Sequence, residues 1–240
     1  MIANKKAGAI FFYFTDAFGS VDRKRLLFKI GRHFGITGRL FLHLVSFLSQ
    51  RYARIKLNGC EGRWIESILG TSAGTMLGPV LFILYMHDVP KCIVPKFADD
   101  LVTLADGESF GNVALELQNT VDQMEKWSKQ WGMTLNVDKI KLMFFGRQPP
   151  KQQHYSIKLH NSTIEQVSFH CYLGVMLDQC LDFHLQVEKV VGKVKRTTNK
   201  VGMLFKERSG IPVKIATDLY KSLVRPHIDY AAPVCKSISK

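Results

Sequence analysis

The sequence contains no Cys-x-x-Cys pair, and its five cysteines (Cys60, Cys92, Cys171, Cys180 and Cys235) are odd in number and irregular in spacing. That pattern argues against a disulfide framework and against a zinc ribbon. A metal site built from Cys171, Cys180 and His184 can be drawn, but ordinary buried cysteine is the expectation. No signal peptide opens the chain, and its longest apolar run, Met76 to Met86, is too short to span a bilayer. The run reads as a core helix instead. An intracellular protein with no membrane partner is expected, so the Asn161-Ser162-Thr163 glycosylation pattern reads as a turn. Internal repeats and low-complexity segments are lacking too, which excludes repeat arrays.

Acidic residues are scarce at both ends. Residues 1–64 carry 12 Lys and Arg against 3 Asp and Glu, and residues 184–225 carry 10 against 3. Residues 65–183 reverse the balance, with 9 basic against 13 acidic side chains. Two basic flanks around an acidic middle fit a polyanion held at the edges, and equally fit a solvated basic surface. The 240 residues, 46% hydrophobic, suffice for one large domain or two small ones with a real core.

Ala9 to Phe14 reads as a buried strand. A helix starts at Asp22 and uses Leu26, Leu27 and Ile30; another spans Leu40 to Leu48 with Phe41, Leu44, Val45 and Leu48 on one face. Tyr52–Leu57 and Arg63–Leu69 are strand candidates, and the five-residue gap holding Asn58-Gly59 predicts one of the longer hairpin loops. After the glycine-rich stretch Gly70–Pro79, Val94 to Leu104 predicts a hairpin with Asp99-Asp100 at its tip. A helix is expected from Asn112 to Trp131, capped by Gly132. Lys141–Phe145 and Ser156–Val167 are strand-like. The remainder is helical and basic, with Val187, Val190, Val194, Val201 and Leu204 on one side. The change in character near Leu181 marks the expected domain boundary.

Phe97-Ala98-Asp99-Asp100 carries the most chemistry. Adjacent carboxylates in a tight turn repel, and a divalent cation relieves that repulsion. Such a pair supports in-line phosphoryl transfer between two metal ions, although a solvated acidic turn has the same sequence. Upstream stand Phe14-Thr15-Asp16-Ala17-Phe18-Gly19-Ser20-Val21-Asp22 and Gly70-Thr71-Ser72-Ala73-Gly74-Thr75-Met76-Leu77-Gly78-Pro79-Val80-Leu81-Phe82, then Tyr85, Asp88 and Pro90. Downstream come Leu135-Asn136 with Lys139, Tyr172-Leu173-Gly174-Val175 with Asp178, and Arg225-Pro226 with Asp229-Tyr230. In this order and spacing the set resembles reverse transcriptases of non-LTR retrotransposons, the Jockey-like kind among them, over about residues 7 to 235.

The resemblance implies an α+β fold: a right-hand polymerase palm, with an antiparallel sheet packed on helices, at residues 1–180, then a basic helical thumb-like region at 181–240. It implies RNA-directed DNA polymerase chemistry with Mg²⁺ as cofactor, an RNA template and a DNA primer. Asp99 falls at the hairpin metal ligand and Asp100 at its neighbour. Phe18 falls where an aromatic ring excludes the ribose 2′-hydroxyl, a position plain core packing would also explain. Gly74 lies in the segment that supports template and incoming base, and Lys139 falls near the triphosphate. Lys193, Lys195, Arg196 and Lys200 are the expected backbone contacts.

Several working positions depart from the family pattern Leu-Asp-Phe-Ser-Lys-Ala-Phe-Asp. Its first Asp aligns with Tyr13, and a neutral phenol cannot replace a carboxylate bridging two Mg²⁺ ions. Gly19 stands at its second Asp. Ser72 and Ala73 stand where the family has Pro and Gln. The fingers that precede the palm in this family have no counterpart in the 240 residues. The expectation is a catalytically defective polymerase segment, with a non-catalytic nucleic-acid-binding remnant of a retrotransposon as the alternative.

Overall fold

A computed structural model describes residues 5–71, 74–146, 148–150, 155–203, 212–230 and 232. The chain forms two compact units, residues 1–144 with 150–166, and residues 145–149 with 167–240.

The first unit is organised on β1 (Lys6–Phe12), where Ala9, Ile10, Phe11 and Phe12 are at most 1% exposed. A strand buried on both faces must sit inside a sheet. It does: β1 is the middle of five strands in the order β11-β8-β1-β7-β6, with β6 at Ile93–Phe97, β7 at Asp100–Gly107, β8 at Lys141–Phe145 and β11 at Glu165–Gln166. β1 runs antiparallel to β7 with Phe12 opposite Leu101, β7 antiparallel to β6, and β11 parallel to β8.

One face of the sheet is covered by α4 (Phe110–Trp131), which buries Val113, Leu117, Val121, Met124, Trp127 and Trp131 at helical spacing. Ser109 caps its first turn by accepting the Asn112 N–H, and Gly132 ends it at φ 74°. Gly8 lets the helix approach, since a methyl group there would lie 3.0 Å from both Leu117 and Val113. Two further helices, α1 (Arg23–Arg32) and α2 (Gly38–Leu48), add Leu26, Ile30, Leu44 and Leu48 to the core. Asp22 caps α1 through the N–H groups of Lys24 and Arg25.

Lys29 is fully buried inside this packing. Its ammonium pairs with Asp88, donates to the Tyr85 carbonyl, and lies 3.7 Å from the Trp131 ring centroid and 5.3 Å from that of Trp127. Trp127 Nε1 donates to the same Asp88 oxygen, so the carboxylate is held from two sides. Burial pushes the Lys29 ammonium below its ordinary range, against the opposing pull of Asp88.

Three expectations need correction. The hairpin of residues 52–66 turns on two residues rather than five: β3 (Lys56–Leu57) pairs with β4 (Cys60–Glu61), while β2 (Tyr52–Ala53) pairs with β5 (Ile65–Glu66). Asn58 and Gly59 both take positive φ, 49° and 80°, which matches strand twist in the tightest loops. The apolar run becomes α3 (Leu77–Tyr85), but only Gly78, Leu81, Phe82 and Tyr85 are buried; Met76, Val80 and Ile83 form an exposed apolar stripe. Finally, Cys60, Cys92, Cys171 and Cys180 are exposed free thiols, not core residues. Cys235 lies outside the described residues.

Residues 158–166 supply β9 (Lys158–Leu159) and β10 (Ser162–Thr163), closed through His160 and Asn161 at positive φ, so of the expected Asn161-Ser162-Thr163 turn only Asn161 turns and the other two residues pair as a strand.

In the second unit β12 (Phe169–Tyr172) and β13 (Val175–Asp178) form an antiparallel hairpin across Leu173-Gly174. The Asp178 carboxylate then accepts the N–H groups of Cys180, Asp182 and Phe183, and so shapes the entry into α5 (His184–Gly202). A last helical stretch runs from α6 (Val213–Leu219) through a π turn at Tyr220–Val224 into α7 (Arg225–Asp229). Pro226 has no N–H for the regular ladder, which accounts for the widened turn before it. No helix of the described residues is long and apolar enough to cross a membrane.

Candidate active site

The sheet face away from α4 carries the site. Ile10, Phe12, Leu101 and Ala105 belong to the core cluster that includes Val113 and Leu117, so the alternate residues of β1 and β7 point to the other face. The β1–β7 register ends at the pair Phe12–Leu101, with Tyr13 directly after Phe12 and Asp100 directly before Leu101. Tyr13 is fixed there by its neighbours. Its carbonyl accepts the Asn136 N–H at 2.8 Å, and Phe14 bridges to Leu135.

The β6–β7 hairpin turns on Ala98 and Asp99, with Phe97 paired to Asp100. Ala98 takes φ 53°, as the first loop residue of a tight primed turn does. The two carboxylates are therefore adjacent at the mouth of the sheet. Burial and the neighbouring charge of Asp99 together raise the pKa of Asp100 above its ordinary range.

Phe18 stacks on Phe82 with ring centroids 4.3 Å apart, and an open cleft of about 570 Å³ runs between them and the hairpin. Ile83, Met86, Phe97 and Ala98 complete its apolar wall. Phe18 is thus packed against the core and also lines the cleft. The loop bearing Phe18 is tied by backbone to the glycine-rich stretch. Gly70 N–H donates to Val21 O and Thr71 N–H to Phe18 O, and a methyl group at Gly70 would lie 3.1 Å from the Gly19 backbone. Arg23 locks this junction, donating to the carbonyls of Gly70, Leu69, Ser67 and Leu48.

Gly74 sits at φ 77° in open surroundings, just before Thr75, whose hydroxyl accepts the Gly78 N–H at 3.2 Å. Ser72 and Ala73 lie outside the described residues. Lys139 is exposed on a turn whose Asn136 accepts its N–H with both backbone and side-chain oxygens, and that turn is anchored on Tyr13. Asp16 is exposed at φ 48° and accepts the Gly19 N–H. Among the described residues no three His, Cys, Asp or Glu side chains converge to hold a metal, so Cys171, Cys180 and His184 form no site.

In the second unit Lys193, Lys195, Arg196 and Lys200 are all exposed on α5. Lys193, Arg196 and Lys200 share one face at intervals of three and four, and Lys189 extends that stripe by one turn. Lys195 projects from the opposite side. The stripe covers about 16 Å of helix at 1.5 Å per residue. Gln186, Val190, Val194 and Val201 form the more covered side of the helix, whereas Val187 is 40% exposed, which corrects the expected apolar face. Leu204 lies outside the described residues. Lys189 was recoverable from sequence by stepping back one turn from Lys193. Arg23 was not, because its acceptors come from positions distant in the chain.

The family described as reverse transcriptase (RNA-dependent DNA polymerase) matches residues 2–177. The RNA-directed DNA polymerase from mobile element jockey of Drosophila melanogaster is 23% identical over 230 residues, covering 91% of this chain and 25% of the relative. The probable RNA-directed DNA polymerase from transposon X-element of the same organism is 24% identical over 237 residues, with 94% and 25% covered. The chain thus spans about a quarter of the length of these relatives. Among solved structures, an apo telomerase from Candida tropicalis superimposes with a TM-score of 0.51 at 12% identity, over 72% of this chain and 34% of that one. That likeness concerns the fold, and it bears out the α+β polymerase architecture. The chain belongs to the reverse transcriptase (RNA-dependent DNA polymerase) family.

Proposed function

We propose that this chain is the palm (residues 1–180) and thumb-like part (181–240) of an RNA-directed DNA polymerase of a Jockey-like retrotransposon, and that nucleotide addition is lost. The observation that carries the reading is Tyr13 at the end of β1, next after the Phe12 that pairs with Leu101 beside the Asp99-Asp100 hairpin. The family generally works with divalent metal ions, and Asp99 and Asp100 would hold Mg²⁺ here. A bound ion would neutralise charge on phosphate oxygens. The residues present do not fit a two-ion arrangement, however: the position that ends β1 offers a phenol in place of a carboxylate able to bridge two cations. No catalytic step is therefore assigned to the chain.

The remaining positions suit binding. Phe18 would meet the sugar of a nucleotide in the aromatic cleft, Gly74 the template, and Lys139 a triphosphate. RNA template and DNA primer would lie along the basic face of α5, with Lys193, Arg196 and Lys200 on their phosphates and Lys195 contributing less. The nucleus or cytoplasm is the place of action this implies.

Primer extension on an RNA template, with Mg²⁺ and with Mn²⁺, tests the catalytic half. Three proteins are needed: the chain itself, Tyr13→Asp and Asp99→Ala. The expected result is silence in the unmodified chain and in Asp99→Ala. Extension by the unmodified chain, abolished in Asp99→Ala, would overturn the proposal. Extension by Tyr13→Asp alone would locate the defect in one missing carboxylate.

The alternative, a remnant that only binds nucleic acid, is favoured by the α5 stripe and by the poor metal fit. It predicts RNA binding that weakens steeply with salt. Salt-insensitive binding, or none, would count against it.

A further inference from the structure

Gln186 opens α5 on its covered side and is only 2% exposed. Its Oε1 accepts the Met176 N–H at 2.9 Å, which fixes the amide orientation. The other end of the amide, Nε2, is a donor that a ligand beside the helix can meet.

The surroundings say what that would be. Gln186 lines a pocket of about 200 Å³ in the second unit, together with Lys189, Lys193, His227, Tyr230 and Gly174. Lys189 Nζ spends two of its three donors on Cys171 Sγ at 3.1 Å and Gly174 O at 3.0 Å, and keeps one. Lys193 brings a second ammonium and His227 a ring nitrogen. Tyr230 forms a wall, its hydroxyl proton being committed to Leu173 O at 2.5 Å. No carboxylate is among the described lining residues. A water molecule takes about 30 Å³, so the space admits one tetrahedral oxyanion with some of its hydration.

We infer that this pocket is a seat for a single phosphoryl group, gripped by Gln186 Nε2, Lys189 and Lys193. Amide and ammonium donors converging without an acceptor select an anion, and charge-assisted bonds to phosphate oxygens are the strong kind. The group is either a phosphate within a nucleic-acid strand or free inorganic phosphate. The inference deepens the proposed binding role of α5, yet its first arm needs neither a strand nor polymerase activity. It can fail while that role stands, or stand while that role fails.

The test is NMR of the glutamine side-chain amides in the full chain during titration with inorganic phosphate. The Gln186 signal is the one absent from Gln186→Met. It is expected to shift saturably, and Lys193→Gln is expected to weaken binding roughly tenfold, the loss of one charge-assisted hydrogen bond. Lys193 is exposed, so that variant remains decisive even if Gln186→Met folds poorly. A single-stranded oligodeoxynucleotide that displaces phosphate identifies the strand as source; phosphate binding without displacement identifies the free anion. An unmoved Gln186 signal, or affinity unchanged in Lys193→Gln, would overturn the inference.

Discussion

The carboxylate of Asp16 occupies the space that a side chain at Gly19 would need: a methyl group there would lie 2.0 Å from Asp16 Oδ2. The same carboxylate accepts the Gly19 N–H at 3.2 Å. The two positions are thus sterically coupled.

Restoring the family Asp at position 19 alone should therefore destabilise the loop. Gly19→Asp must swing Asp16 away, losing the hydrogen bond and bringing two carboxylates together, for about 1 kcal/mol. Combined with Asp16→Lys it should cost less than the sum of the single changes. Urea unfolding of the four proteins in this cycle measures the coupling, and simple additivity would refute it.

Lys29→Ala should remove about 3 kcal/mol or more, because it strands the Asp88 carboxylate and empties an aromatic cage. Lys29→Met, which refills the volume, should lose less. Since burial holds the folded-state pKa below the ordinary 10.5, the unfolded chain binds the proton more tightly. Stability should then rise with pH between the depressed value and 10.5, a slope attributable to this residue and missing in Lys29→Met.

Asp100 behaves in the opposite sense. Its folded-state pKa lies above the ordinary 3.8, so ionisation weakens the fold as pH climbs through that interval. Asp100→Asn should raise Tm at neutral pH and leave it unchanged at about pH 3, where the carboxyl is protonated in both states. A fall in Tm at neutral pH would mean that Asp100 receives more support than its surroundings indicate.

On α5, replacing Lys193, Arg196 or Lys200 by Gln should each lower the salt dependence of RNA binding by about one phosphate contact. Lys195→Gln, on the opposite side, should change it little. Equal effects at all four would indicate diffuse attraction to the helix rather than a track along one face.

Much of this was legible in the sequence wherever a local rule governs. Asp22 and Gly132 mark helix ends because a capping carboxylate and a left-handed glycine act within one turn. The hairpin at Asp99-Asp100 was legible because apolar runs flank a polar pair. Pairings decided by competition between registers were not: the choice of Cys60-Glu61 as partner of Lys56-Leu57 depends on how tightly Asn58-Gly59 turns. Exposure was harder still. The Met76–Met86 run is uniformly apolar, so its composition cannot tell which side faces the core, and the cysteines lie at positions with no periodic signal. The burial of Gln186 was invisible, because it follows from neighbours such as Met176 that come together with α5 only in the folded hairpin and helices.

The protein has three tryptophans. Trp127 and Trp131 wrap the Lys29 ammonium and are 5% and 6% exposed, while Trp64 is 61% exposed beneath the Arg54 guanidinium. Their emission is therefore divisible: iodide will reach Trp64 and leave the interior pair bright until the fold opens. One cuvette can follow the hairpin surface through quenching and the integrity of the core through spectral shift, without any attached dye.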